Sequence, residues 1–152
     1  MVVVCGRRLN DVSTMRDLGP EYDDAEFPQG YLADRLKRRS PLKSILVDQK
    51  TVSGIGNAYA HEIAFEAGIR PDRVGITLTP DEVARLYAAI GTVFQYAIGV
   101  RLKSPLNVMG DEGWDLARIH RRKGQPCPRC SAEIGTLKMG GNLLYFCPEC
   151  QQ

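Results

Sequence analysis

The chain has 152 residues, of which 43% are hydrophobic and 25% charged, and its formal net charge is +2. These values are typical of an ordinary soluble protein. No apolar run approaches the roughly 18 residues needed to span a bilayer, and the apolar N-terminal stretch is too short for a signal peptide. The sequence therefore predicts a cytoplasmic protein without a membrane partner.

The chain begins with a segment, residues 1–27, that has no sustained periodicity and is interpreted as a remnant or linker. A helical pattern starts at Pro28 and stops near Ser40-Pro41, because proline disfavours helix in the residue before it. Further helices are predicted from Leu42 to Asp48 and from Asn57 to Ala67, the latter ended by Gly68 in a left-handed cap. Their inward-facing residues are Tyr31, Leu32, Leu36, Leu42, Ile45 and Leu46.

A fourth helix is predicted from the strongest local signal in the sequence. Thr79-Pro80-Asp81-Glu82 has the pattern of a capping box, with proline at the first helical position. Gly99 is expected to end this helix, and a loop from Arg101 then leads to Trp114. The apolar stripe predicted to be buried is Val83, Leu86, Tyr87, Ile90, Phe94 and Ile98.

Two Cys-x-x-Cys pairs, Cys127/Cys130 and Cys147/Cys150, are separated by sixteen residues. This spacing is typical of a four-thiolate zinc site. Strands over 134–139 and 142–147, joined by a Gly-Gly turn, would bring the pairs together. Four sulfurs leave no open position for water, so we expect one structural Zn²⁺. The alternative is unliganded thiols or disulfides. The fifth cysteine, Cys5, is expected to be a free thiol.

Two features suggest phosphate binding. The turn before the third helix contains Gly54 and Gly56, and Asn57 could cap that helix and leave amide groups pointing outward. The alternative is a tight interhelical turn without a ligand. Basic residues also cluster, as Lys37-Arg38-Arg39 and as the run Arg121, Arg122 and Lys123 before the first cysteine pair. A solvated helix end is the alternative for such a run.

Taken together, residues 42–49, 52–62 and 67–71 resemble the helix-two-turn-helix segment of the formamidopyrimidine-DNA glycosylase and endonuclease VIII family. Residues 124–151 similarly resemble the C-terminal zinc finger of that family. The resemblance implies a mainly α fold, in which a helix-two-turn-helix bundle over 28–114 precedes a small β-hairpin zinc finger over 115–152.

The resemblance also implies roles for individual residues. Lys43 and Asn57 occupy family positions that hold DNA backbone phosphates, and Asn142 occupies the hairpin-tip position of a phosphate-binding arginine. A neutral amide at this tip should weaken binding and its salt dependence. The family's catalytic proline and glutamate have no counterpart after Met1, so no catalytic residue is predicted. His61 and His120 belong to no nucleophile motif and are expected to be surface or capping residues.

The function implied is that of a DNA-binding protein of base excision repair. It would bind duplex DNA, including abasic or otherwise damaged DNA, through the backbone phosphates and associate with the nucleoid when bound. Glycosylase activity is not expected of the chain alone, although a separate protein chain could supply a catalytic domain. Two alternatives remain: residual lyase activity at abasic sites, and a protein-interaction adaptor that uses the zinc finger.

Overall fold

The computed structural model describes residues 3–4, 7–8, 17–103 and 117–152, and this part of the chain is mainly helical. The single Cys5 and the predicted loop to Trp114 beyond residue 103 lie outside the described residues. The elements in chain order are β1 Val3–Val4, β2 Arg7–Arg8, α1 Gln29–Leu36, α2 Leu42–Val47, α3 Asn57–Ala67, α4 Pro80–Lys103, β3 Gly135–Met139 and β4 Asn142–Phe146. A 3-10 turn at Gly75–Thr77 precedes α4.

The first three helices confirm the predicted pattern and build one apolar core with α4. Leu32, Leu42 and Leu46 are completely buried, and Ile63 of α3 packs in the same cluster. Gly68 ends α3 with φ 71°, a left-handed conformation that glycine adopts without steric cost. The mainly α fold class is therefore confirmed.

The start of α4 was predicted correctly and its end was not. Thr79 and Glu82 form the reciprocal capping box: the Thr79 N–H donates to Glu82 Oε2 at 2.8 Å, and the Glu82 N–H donates to Thr79 Oγ1 at 3.2 Å. The helix continues through Gly99 to Lys103. Ile98 is 47% exposed, contrary to prediction, because the buried stripe continues through Val93 and Ala97.

Helix α4 also corrects the expectation about apolar length. Over Pro80–Val100 it is long and apolar enough to cross a membrane, by length and composition alone. The core helix of a soluble protein meets the same criterion. Here one face of α4 packs in the core through residues such as Leu86 and Ile90, and it contacts both α1 and α3. About 33% of the apolar window is buried, so this packing accounts for part of the apolar composition of the helix.

The C-terminal sheet is the predicted hairpin, in which β3 pairs antiparallel with β4. Met139 pairs with Asn142 across a two-residue turn, and Gly140 and Gly141 have φ of 55° and 79°. Two successive positive φ values match the right-handed twist of the strands, which explains the glycine pair. The turn places Asn142 at the hairpin tip.

The hairpin is docked against the helical body. Phe65 of α3 is completely buried in a second cluster with Ile119, Ile134, Cys127 and Cys147. The end of the chain is fastened to the loop after α3 by backbone hydrogen bonds, from the Arg70 N–H to the Gln152 carbonyl at 3.0 Å and from the Gln152 N–H to the Gly68 carbonyl at 3.2 Å. Helix α3 is therefore shared by both clusters.

Candidate nucleic-acid interface and zinc site

The four predicted metal ligands come together at the base of the hairpin. The sulfurs of Cys127, Cys130, Cys147 and Cys150 all lie within 4.8 Å of one another. Cys127 and Cys150 are separated by 3.9 Å, and Cys130 and Cys147 by 3.4 Å. Sulfurs about 2.3 Å from one tetrahedral zinc would be about 3.8 Å apart, so the group fits one ion.

The surrounding backbone also suits bound thiolates. The Arg129 N–H donates to Cys127 Sγ and the Cys150 N–H donates to Cys147 Sγ, each at 3.4 Å. Such donors stabilise negative charge on sulfur and orient the ligand. Zinc held by these four residues would supply a structural crosslink between the two cysteine pairs.

Three of the predicted phosphate-binding residues line one cleft. Lys43 of α2, Asn57 of α3 and Asn142 of the hairpin tip border a cavity of about 290 Å³. The remaining lining residues, which sequence reasoning missed, are Pro41, Ser44, Val47, Met139 and Gly140. The cleft is therefore formed where the hairpin tip approaches the helical body.

Lys43 contributes a positive charge from a largely buried side chain. It is only 5% exposed, and this burial lowers the pKa of its ammonium from the usual value. Within the described part of the chain no carboxylate pairs with it. A cation without a protein counterion beside an open cleft is suited to bind an anion.

The turn before α3 has the predicted shape but a different cap. Gly54 is exposed with φ 90°, and its N–H donates to Gln49 Oε1 at 3.0 Å. The N-cap residue is Gly56, and Asn57 is the first residue of the helix. No side chain makes a capping hydrogen bond at this end of α3. The prediction that Asn57 caps α3 was therefore wrong. Its exposed side chain remains available at the positive end of the helix.

The residues of the two basic clusters do not line the cleft. Arg121, Arg122 and Lys123 lie in the turn before the finger and are not among the cleft lining. Arg121 has φ 61°, and Arg122 Nη1 donates to Gln125 Oε1 at 3.4 Å. In the other cluster, Lys37 and Arg38 form ion pairs with Asp34 and Asp48 at 2.7 and 2.9 Å, which reduces the positive charge of that surface.

The two histidines were predicted as surface or capping residues, and for His61 this was wrong. His61 is 1% exposed, and its Nδ1 lies 3.0 Å from His120 Nδ1. The rings stack with centroids 5.0 Å apart, and Tyr145 packs edge-on against both. The contact joins α3 to a segment far along the chain, so no sequence spacing could have indicated it.

Glu62 of α3 holds the segment that leads into the finger. Its carboxylate is buried and accepts the backbone N–H groups of Arg118, Ile119 and His120, each at 3.0 Å. Glu66, one turn later, pairs with Arg118 at 2.6 Å and with Arg129 of the finger at 2.7 Å. These two carboxylates fix the finger, and with it the hairpin tip, against the helical body.

We expect Glu62→Gln to destabilise this junction. The amide keeps the shape of the side chain but has one acceptor oxygen, and its NH₂ group would face backbone donors. The expected loss is about 1.5–3 kcal/mol in the free energy of unfolding. Denaturant unfolding with zinc present measures it. Glu66→Gln is the matched control and should lose about 1 kcal/mol or less, because its ion pairs are more exposed. Equal losses would contradict the role given to Glu62.

Comparison with known proteins assigns the helical body and the finger to two known domain families. Residues 18–105 match the family model of the formamidopyrimidine-DNA glycosylase H2TH domain, and residues 124–152 match that of a zinc finger found in FPG and IleRS. The formamidopyrimidine-DNA glycosylase of Pelotomaculum thermopropionicum is 37% identical over 150 residues, which cover 95% of this chain and 54% of the relative. The chain spans about half the length of the curated relatives it matches.

Solved structures show the same arrangement. Lactococcus lactis Fpg in complex with FAPY-dG containing DNA superimposes with a TM-score of 0.80 and 29% identity, over 91% of this chain and 52% of that one. The complex of the same Fpg with abasic site containing DNA gives a TM-score of 0.79 and 28% identity, over 91% and 53% of the two chains. Similarity therefore covers the helical body and the finger together.

Proposed function

Because the chain belongs to the formamidopyrimidine-DNA glycosylase family, we propose that it binds duplex DNA through the backbone phosphates, as a DNA-binding protein of base excision repair. The observation that carries this proposal is the convergence of Lys43, Asn57 and Asn142 on one cleft. These residues come from α2, the start of α3 and the hairpin tip, so a single phosphodiester segment could contact all three.

The chemistry of the cleft favours a phosphate over a base edge. Lys43 provides a charge without directional preference, and Asn57 lies at the positive end of α3 with neighbouring backbone amides. Asn142 can donate one amide N–H at the tip. Contacts of this kind fix position along the duplex and carry little sequence information. Gly54 and Gly56 leave room for a close approach, because a Cβ on either would meet nothing within 4 Å.

The basic turn of Arg121, Arg122 and Lys123 would add electrostatic contacts to the duplex backbone. The protein would act in the cytoplasm and associate with the nucleoid when bound. Damaged duplexes are included in the proposal because the similar Lactococcus lactis structures hold DNA with FAPY-dG or an abasic site.

The experiment that tests the proposal is a salt series of binding to matched duplexes, one intact and one with an abasic analogue. We expect a dissociation constant of about 10⁻⁴ to 10⁻⁶ M at physiological salt, with a linear dependence of log K on log salt. Fluorescence anisotropy measures both. Two duplexes of unrelated sequence should bind alike. Absence of binding even at low salt would overturn the proposal and favour a protein-interaction role for the finger.

A further inference from the structure

We propose that Gln151 is a positioning residue for the phosphate cleft. Its buried side chain links the second cysteine pair, Cys147 and Cys150, to the end of α3 and so sets where the hairpin tip lies. The inference rests on the proposed function, because the place of the tip matters only if DNA binds in the cleft. Gln151 does not line the cleft itself and would act through the position of Asn142.

Both ends of the Gln151 amide are hydrogen-bonded inside the protein. The residue is 1% exposed, its Nε2 donates to the Ile69 carbonyl at 2.8 Å, and its Oε1 accepts the Cys147 N–H at 2.8 Å. Ile69 offers only an acceptor and Cys147 only a donor, so this orientation of the amide satisfies both groups. Ile69 belongs to the main core, whereas Cys147 belongs to the cluster beneath the finger. One side chain therefore joins the two clusters.

The loop after α3 contacts the end of the finger at further points. The guanidinium carbon of Arg70 lies 4.1 Å from the ring centroid of Phe146, the last residue of β4. The Gly68 carbonyl accepts the Gln152 N–H, and a Cβ on Gly68 would lie 3.3 Å from the Cys150 carbonyl oxygen. The two backbones are therefore in contact on both sides of position 151, which fixes the direction of the side chain there.

The first cysteine pair has its own attachment to the same helix. Arg129 lies between the two cysteines of that pair, and its Nη1 donates to the Phe65 carbonyl at 2.9 Å. Its Nη2 forms an ion pair with Glu66 Oε2 at 2.7 Å. The end of α3 is therefore bound by Arg129 at one cysteine pair and by Gln151 at the other. Loss of the Gln151 bonds would loosen the second attachment and let the finger rotate about the first.

Strand β4 converts a small rotation at this base into a larger movement at the tip. Asn142 begins β4 and Cys147 directly follows it, so about 17 Å separates them at about 3.3 Å per residue. A tilt of about 5° over that length would move Asn142 by about 1.5 Å. An N–H···O hydrogen bond spans only about 2.7–3.2 Å, so a shift of this size would break a contact between the tip and a phosphate. Lys43 and Asn57 belong to the helical body and would keep their places.

The test compares DNA affinities in a double-mutant cycle, measured by fluorescence anisotropy. Gln151→Met keeps the length of the side chain and removes both hydrogen bonds. We expect Asn142→Arg to tighten binding about tenfold in the natural chain and no more than about threefold when Gln151→Met is present. The loss caused by Lys43→Met should be the same in both backgrounds. Lys50→Met, at an exposed lysine outside the cleft lining, is the control for that charge.

Gln152→Met is the matched control for the glutamine. Gln152 is exposed, and its hydrogen bonds with Gly68 and Arg70 use backbone atoms that the substitution keeps. The gain from Asn142→Arg should remain about tenfold in this variant. Equal gains in Gln151→Met and Gln152→Met, or no gain in the natural chain, would overturn the inference and leave the proposed function intact. Failure of every protein to bind DNA at low salt would overturn the proposed function, and the inference with it.

Two measurements without DNA separate positioning from zinc binding. Gln151→Met should contain one zinc per molecule, because all four cysteines remain. Amide hydrogen exchange should be about tenfold faster than in the natural chain at Arg70 and Gln152, whose N–H groups join the finger to the helical body. Exchange should be unchanged at Ser131, whose N–H donates to the Cys127 carbonyl within the first cysteine loop. Loss of zinc, or unchanged exchange at Arg70 and Gln152, would contradict a positioning role.

Discussion

Replacing Cys147 by serine is expected to abolish zinc binding and unfold the hairpin finger while the helices persist. Cys147 is completely buried and supplies one of the four sulfurs. Three remaining thiolates cannot close the tetrahedral shell, and a module of this size has little apolar core of its own. Structural zinc contributes on the order of 10 kcal/mol to folding of such modules, far more than the hairpin's hydrogen bonds.

The helical body should remain folded in this variant, at reduced stability. The main core of α1 to α4 does not include the finger, so its helices retain their mutual contacts. Phe65, however, is buried beneath the finger with Ile119 and Ile134. Release of the finger would expose the Phe65 ring, and the loss of this burial costs about 2–3 kcal/mol of stability.

Elemental analysis and far-ultraviolet circular dichroism together check this prediction. The natural chain should contain one zinc per molecule and the variant none, while the helical signal is largely retained and the melting temperature falls. Cys5→Ser is the matched control, because it leaves both Cys-x-x-Cys pairs intact. A variant that retains one zinc with an unchanged melting temperature would show that Cys147 is not a ligand.

Local signals in the sequence were sufficient for most element boundaries. Gly68, the Thr79–Glu82 capping box and the Gly140-Gly141 turn each determine backbone geometry within a few residues, and each was predicted correctly. The end of α4 was not, because a single glycine costs a helix only about 1 kcal/mol and the packed stripe carries α4 past Gly99. Ile98 was misplaced because two successive four-residue steps from Ile90 move a position about 80° around the helix. The buried stripe instead runs through Val93 and Ala97.

The candidate site likewise combines residues that could be predicted from the sequence with contacts that could not. The cysteine cluster was predicted from spacing, and the phosphate-binding roles proposed for Lys43 and Asn57 come from resemblance to a family. The His61–His120 contact and the hydrogen bonds from residues 118–120 to the Glu62 carboxylate are tertiary contacts between segments that are distant in sequence. Periodicity reports which face of α3 is buried, but it cannot report what that face meets. Polar pairs of this kind therefore become visible only in the folded chain.

Removal of the Lys43 charge is expected to weaken binding to every duplex tested, by about tenfold or more at physiological salt. Loss of one charged hydrogen-bonded contact accounts for about 1.5–3 kcal/mol, and the slope of log K against log salt should fall by about one. Lys43→Ala and Lys43→Met both remove the charge, and the methionine keeps the packing of the buried stem. Lys50→Met should have little effect.

The opposite change at the hairpin tip should strengthen binding. Asn142 is exposed at the start of β4 and borders the same cleft as Lys43. An arginine there can donate two parallel N–H groups to one phosphate, so Asn142→Arg should tighten binding about tenfold and raise the salt slope by about one. Because the tip is held through Glu62 and Glu66, the new guanidinium would reach the duplex from a fixed position.

Comparison of the variants separates phosphate binding from general electrostatic attraction. Anisotropy titrations at three or more salt concentrations measure affinity and slope together for Lys43→Met, Asn57→Ala, Asn142→Arg and Lys50→Met. A phosphate bound in the cleft requires losses at Lys43 and Asn57 and a gain at Asn142. If Lys43→Met and Asn57→Ala both leave affinity unchanged, DNA does not bind at this cleft, and the basic turn of Arg121, Arg122 and Lys123 becomes the remaining candidate surface.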